Sequence, residues 1–145
     1  MEKDFFDAVN ITFDLDTQKP GELSPLILAY IGDAVYEVVV RQIELSKGNR
    51  PIVKLHRASI KRVNAGTQAE LIELIEPELS EEELSIYKRG RNAKAATSAK
   101  NASIGDYRKA TGFEALMGYL YISNRSDRML ELINSGFTKM ESKNG

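Results

Sequence analysis

The sequence contains no cysteine and a single histidine, His56. Without thiols there is no disulfide framework and no thiolate metal ligation, and one imidazole does not build a structural zinc site. Long apolar runs are missing as well: nothing reaches the roughly 18 uninterrupted apolar residues that a spanning helix needs. Met1 to Asp7 carry acid where a secretion signal would carry base, and no apolar run follows. These absences point to a soluble cytoplasmic protein with no membrane partner and no organic cofactor. What is present is ordinary for a globular chain: 145 residues, 42% hydrophobic and 28% charged. A single domain over 1–145 is expected, with an arm to about residue 21 and a polar tail from about residue 138.

Net charge is nearly absent too, at −1, but it is unevenly distributed. Residues 76–86 hold five glutamates and no base. Residues 88–109 hold Lys88, Arg89, Arg91, Lys94, Lys100, Arg108 and Lys109 against Asp106 alone. Between 41 and 62 lie Arg41, Lys47, Arg50, Lys54, Arg57, Lys61 and Arg62 against Glu44. Asymmetry of this kind can build a polyanion-binding face, or it can be solvated helix surface.

Every strong segment reads as helix. Ser24-Pro25 caps and opens a run to about Ser46. A second helix is expected from Pro51, capped by Asn49 or Arg50, through Val63, with Gly66 bending or interrupting it before Gln68–Ile75. Glu76-Pro77 closes that segment. Ser80 to Glu83 is a capping box for a short helix to about Lys88, broken at Gly90. Residues 91–103 are small and polar and fit loop or weak helix equally. Ser103 to Asp106 opens an apolar helix to about Ile122, and Ser126 caps a last helix ending near Gly136. No segment alternates over strand length, so the expected fold is all-α, a helical bundle.

Two carboxylates break the apolar pattern. The wheel of 26–45 is apolar around most of its circumference, which predicts a largely buried helix, yet Asp33 and Glu37 interrupt it at i, i+4 spacing. Glu114 stands alone between Phe113 and Ala115 in a second apolar helix. Ionised carboxylates are rarely buried unless paired or metal-bound. Each could bond an internal base; two on separate helices could share a divalent ion, and oxygen-only ligation favours Mg²⁺ or Mn²⁺. Gly32, Gly112 and Gly118 flank these acids at a helix-propensity cost of about 1 kcal/mol each, consistent with close helix approach.

Tyr30-Ile31-Gly32-Asp33-Ala34-Val35 resembles the Phe-Leu-Gly-Asp core of the ribonuclease III signature. Phe113-Glu114-Ala115-Leu116-Met117-Gly118 resembles that family's second acidic motif. Order and separation match over about residues 22–136. Leu55-His56, Gln68-Ala69-Glu70, Lys88 to Lys94 and Gly118-Tyr119-Leu120-Tyr121 are similar to the Mini-III branch, which lacks a double-stranded-RNA-binding domain. The resemblance implies that Asp33 and Glu114 belong to a Mg²⁺ site (Mn²⁺ as the alternative) cleaving phosphodiesters of double-stranded RNA. It implies a homodimer with two centres, and maturation of the large-subunit (23S) ribosomal RNA precursor. Two of the usual four acids are replaced, by Ala29 and Thr111, and Leu26 fills an earlier acidic position. Waters, Thr111 or Glu37 are the candidates for the gaps, although Glu37 also suits Arg41 at i+4.

The expected RNA contacts are Lys88, Arg89, Arg91, Asn92 and Lys94, followed by Lys54, Arg57 and Lys61 on one helical stripe. Duplex RNA is read chiefly through phosphates, 2′-hydroxyls and shape. His56 either acts near the scissile phosphate or packs within its helix. The apolar face around Tyr30, Leu26 and Val40 is the expected dimer contact. The rival readings are a catalytically weak RNA-binding or scaffold domain of the same fold, and a helical interaction protein whose acids pair internally.

Overall fold

The computed structural model describes residues 4–93 and 103–144. Lys94, an expected RNA contact, lies outside the described residues. Among those described there are seven α-helices and no strand: α1 (Phe5–Thr12), α2 (Pro25–Leu45), α3 (Ile52–Val63), α4 (Ala65–Ile75), α5 (Glu81–Asn92), α6 (Ile104–Ile122) and α7 (Ser126–Asn144). Short 3₁₀ turns at Pro20–Glu22 and Glu76–Glu78 precede α2 and follow α4. The all-α expectation holds. No helix among the described residues is long and apolar enough to cross a membrane.

Side-chain caps start several of these helices. Ser24 Oγ accepts from the Ile27 amide, with Pro25 at the first helical position. Ser80 and Glu83 form a reciprocal capping box at the head of α5, and Ser103 accepts from Asp106 N at 3.0 Å at the head of α6. The break between α3 and α4 falls at Asn64 rather than Gly66. Asn64 Oδ1 accepts from Thr67 N at 2.9 Å while its Nδ2 donates to Ile60 O at 2.9 Å, so one side chain ends α3 and begins α4. The N-cap of α3 is Pro51, which makes no side-chain capping bond.

Two expected helix ends move, and the arm gains a helix. Gly90 does not break α5, which continues to Asn92. A Cβ at Gly90 would sit 2.8 Å from Ala115 Cβ and Gly112 Cα, so glycine is there for contact with α6. The expected polar tail is helical: α7 passes Gly136 to Asn144, and a Cβ at Gly136 would meet Leu71 Cδ2 at 2.9 Å. The N-terminal arm contains α1, anchored by Phe6 against the Tyr121 ring at 5.1 Å.

The axis of the domain is α6, packed against α2, α4, α5 and α7. Ala110 to Phe113, Ala115 to Gly118 and Leu120 are all buried, as expected for a helix apolar around its circumference. Tyr36, Val40, Leu71, Ile72, Ile75, Phe113, Leu116, Met117 and Leu132 form the core with it. The expectation of a largely buried α2 needs correction. Only Leu28, Ala29, Gly32, Tyr36, Val40 and Glu44 are buried, with Val35 and Val39 partly so, while Tyr30 is 80% and Val38 62% exposed. Val40, expected on the dimer face, is fully buried in the core.

Candidate active site

The site begins where α2 crosses α6. A Cβ on Gly32 would overlap the Glu114 carbonyl oxygen, and one on Gly118 would overlap the Leu28 carbonyl oxygen. The two backbones therefore touch, which only glycine permits. Gly112 serves a different contact, facing the Tyr87 ring of α5. Asp33 follows Gly32, and the Glu114 backbone is itself the surface Gly32 meets, so the crossing carries both acids to one place.

Glu114 is largely enclosed, whereas Asp33 is exposed, against the expectation that both would be buried. Burial is the main cause that raises the Glu114 carboxyl from 4.5 to about 8. The Asp33 carboxylate, within hydrogen-bonding reach, raises it further by hydrogen bond and charge, and Glu37 adds repulsion. Gln68 Nε2 opposes these effects, donating to Glu114 Oε2 at 3.4 Å and to Val63 O at 2.8 Å. Behind the pair, Tyr36 packs edge-on against Phe113 and donates its hydroxyl to Arg62 O at 2.7 Å. Burial holds that phenol well above its ordinary value.

Two other acids show what a structural carboxylate looks like in this protein. Glu83 is fully buried and takes Arg128 Nε at 2.8 Å and Nη2 at 2.9 Å; those bonds hold its carboxyl below the usual range against the effect of burial. Glu44 is buried among Lys47, Arg50 and Arg62, each within 3.3 Å. Burial would raise it, but hydrogen bonds from Lys47 and Arg50 prevail and lower it. Among the described residues no Lys or Arg forms an ion pair with Asp33 or Glu114. The centre is a like-charged pair, not an internal salt bridge.

The pair has few neighbours of its own kind. No three His, Cys, Asp or Glu side chains among the described residues converge to hold a metal. Glu37 is bonded to Arg41 at 3.0 Å, the structural alternative foreseen for it. Thr111 is buried and its hydroxyl donates to Tyr107 O at 3.0 Å, so it is already engaged. Ala29 lies in an apolar cluster with Leu28, Ile86 and Ala115. Leu26 is exposed.

Lys54, Arg57 and Lys61 are exposed along α3, and Lys88, Arg89 and Asn92 are exposed at the end of α5. These last three are helical, not beyond a helix stop. With Pro25 and Leu84 they line an open groove of about 730 Å³. Arg91 is less free: its guanidinium lies over the Tyr87 ring at 5.6 Å and donates to Asn92 Oδ1. His56 is exposed and borders a cavity of about 170 Å³ with Arg41, Glu44 and Ser59, so it is not a buried packing histidine. Gln68 is the residue that sequence reasoning did not single out for the site. Its signal was present: it falls on the same stripe as Leu71, Ile72 and Ile75, a polar break in an apolar face.

The described site is therefore an acid pair on two crossed helices, with exposed basic side chains on α3 and at the end of α5, in an all-α domain. A family profile described as Ribonuclease III domain matches residues 26–125. A protein named Mini-ribonuclease 3 from Clostridium tetani is 51% identical over 113 residues, 77% of this chain and 75% of its own length. Another of that name, from Brevibacillus brevis, is 46% identical over 125 residues, 86% of this chain and 93% of its own. A crystal structure of a Fusobacterium nucleatum protein superposes with a TM-score of 0.76 at 30% identity, covering 81% of this chain and 96% of that one. The chain belongs to the ribonuclease III family of endoribonucleases, in its Mini-ribonuclease 3 branch.

Proposed function

We propose that this protein is a Mg²⁺-dependent endoribonuclease that hydrolyses phosphodiester bonds of double-stranded RNA. The observation that carries the reading is the unpaired acid couple, with Glu114 pushed up to about 8 beside Asp33. A hard cation fits such a donor set: Mg²⁺ is commonly held by one or two carboxylates plus waters and substrate phosphate oxygens. Asp33 and Glu114 would hold the ion, Mn²⁺ being the alternative; the Arg41 partnership of Glu37 supports a structural part for that residue. When bound, the ion supplies an acidified water and offsets charge on the scissile phosphate.

The chain's own residues do the remaining work. Glu114, fixed against α2, and Asp33, at the surface, set the negative centre that would draw the ion, and the phosphate would be held through that ion and the basic side chains. Lys88, Arg89 and Asn92, with Lys54, Arg57 and Lys61, present exposed donors suited to phosphates and 2′-hydroxyls. Ile27, Tyr30 and Val38 leave an apolar stripe exposed along α2 beside the acids. That stripe supports a homodimer in which two centres address the two strands. On this reading the natural substrate is the large-subunit (23S) ribosomal RNA precursor in the cytoplasm, as the Mini-III resemblance implies.

The test is cleavage of a long RNA duplex with Mg²⁺ by the wild type and by Asp33→Asn and Glu114→Gln. The wild type is expected to cut, and both variants are expected to be inactive while folded. Cleavage that survives in either variant, or no cleavage by any protein, overturns the assignment. A second reading, a catalytically weak RNA-binding domain, is favoured by the small number of acids at the centre. It predicts duplex binding without cutting at any metal concentration.

A further inference from the structure

Gln68 lies in the first turn of α4 and is 2% exposed. A glutamine in such a place brings two N–H donors and a carbonyl that must be satisfied away from water. Both donors are used: Nε2 bonds Val63 O at 2.8 Å and Glu114 Oε2 at 3.4 Å. The carbonyl is not, since Oε1 is buried with no hydrogen-bond partner among the described residues. This orientation is imposed from outside. The Val63 carbonyl can only accept, so exchanging the amide oxygen and nitrogen would set acceptor against acceptor at 2.8 Å. The stranded oxygen is the consequence of pointing the nitrogen at Glu114.

Packing alone does not account for this residue. Methionine or leucine would fill similar space on the Leu71–Ile72–Ile75 stripe and remove the stranded Oε1, at the cost of the Val63 carbonyl's side-chain donor. We propose that Gln68 is a positioning residue for the acid pair: its amide, anchored on the Val63 carbonyl where α3 meets α4, holds the Glu114 carboxylate toward Asp33. The inference rests on the reading that Asp33 and Glu114 hold a divalent cation. Residues that orient ligands from behind change metal affinity by about 10–100-fold when removed.

The experiment uses the full chain without RNA, titrating Mn²⁺ and following the free-ion signal by electron paramagnetic resonance, alongside thermal melts in chelator. Asp33→Asn serves as the control that marks the site, and Gln68→Met is the variant, with Gln68→Leu as a second. Gln68→Met is expected to fold in chelator with a modest loss of melting temperature, since it sheds the stranded Oε1 but leaves the Val63 carbonyl without its side-chain donor, and to bind Mn²⁺ about tenfold or more weakly. Its RNA cleavage is expected to need correspondingly more Mg²⁺ and to approach the wild-type rate at saturation. Mn²⁺ bound equally by the wild type and both Gln68 variants overturns the positioning role and leaves the metal reading standing. Mn²⁺ binding unchanged in Asp33→Asn, or absent in the wild type, overturns the metal reading and this inference with it. Failure of both Gln68 variants to fold overturns the claim that packing does not require the amide.

Discussion

Glu114 offers a test of the acid pair that needs neither RNA nor metal. In the unfolded chain its carboxyl has the ordinary value of 4.5; in the folded protein it is raised to about 8, by burial first and then by the Asp33 carboxylate. The folded state therefore binds this proton more tightly than the unfolded state. Its contribution to stability is complete below about pH 4.5 and is lost as pH climbs through about 8. At about 1.4 kcal/mol for each tenfold change in proton affinity, the ceiling is roughly 5 kcal/mol. Asp33 is exposed and can turn into water, so a loss on the order of 2–3 kcal/mol is the working figure. Glu114→Gln is permanently neutral and escapes that loss. In chelator its melting temperature should exceed that of the wild type by roughly 5 °C or more at pH 8.5 and match it near pH 5. Glu44, Glu78 and Glu83, all held low, give a slope of the opposite sign, but they are common to both proteins and cancel in the difference. Melting curves that run parallel from pH 5 to 9, or a wild type that gains on the variant as pH rises, would refute the reasoning.

Gly118→Ala drives a methyl into the Leu28 carbonyl, and since backbone cannot rotate away, a loss of about 3 kcal/mol or more is expected in urea unfolding. Arg128→Ala leaves the fully buried Glu83 with only the Ser80 amide and Arg125 at 3.6 Å; it should destabilise by roughly 3 kcal/mol, and Glu83→Gln in the same chain should recover part of it. Glu83 contributes stability above the ordinary carboxylate range and loses it as pH falls through its lowered value, so the Arg128→Ala deficit should shrink in acid. Replacing Lys88 and Arg89 together by alanine should weaken duplex RNA binding. The slope of log affinity against log salt should then fall by about one or more, and an unchanged slope would remove them from the RNA-facing surface.

Much of the fold was readable because its signals are local. Ser24, Ser80 and Ser103 each act within three residues, and the structure places a cap at each. Two misplaced helix ends share a physical origin in contacts from elsewhere in the chain, whereas the break at Asn64 is set by that residue's own local bonds. Gly90 and Gly136 have the composition of helix stops, yet each continues its helix because a distant surface needs the space: Ala115 and Gly112 for one, Leu71 and Ile75 for the other. Val40 and Tyr30 look alike on a helical wheel; which of them meets Phe113, Leu116 and their neighbours depends on how α2 is rotated against α6, and the wheel of α2 alone is apolar in too many directions to fix that.

The site shows the same division between local and distant causes. Periodicity identifies an acid out of place, but it does not say what the acid meets. Glu83 and Glu44 are more buried than Glu114, and each is bonded to arginine from another helix, Arg128 and Arg62. Those carboxylates are held low and inert. Glu114 meets Asp33 instead, and Gly32 and Gly118 press the two helices so closely that the charges cannot separate by sliding α2 along α6. Relief of the repulsion comes from Asp33 turning into water, from a proton held on Glu114 and, on the proposed reading, from a cation between the carboxylates. A crossing that needs two glycines in helix interiors, at about 1 kcal/mol each in propensity, and that sets two carboxylates side by side lowers stability, and the proposed divalent-cation site would give that cost a function.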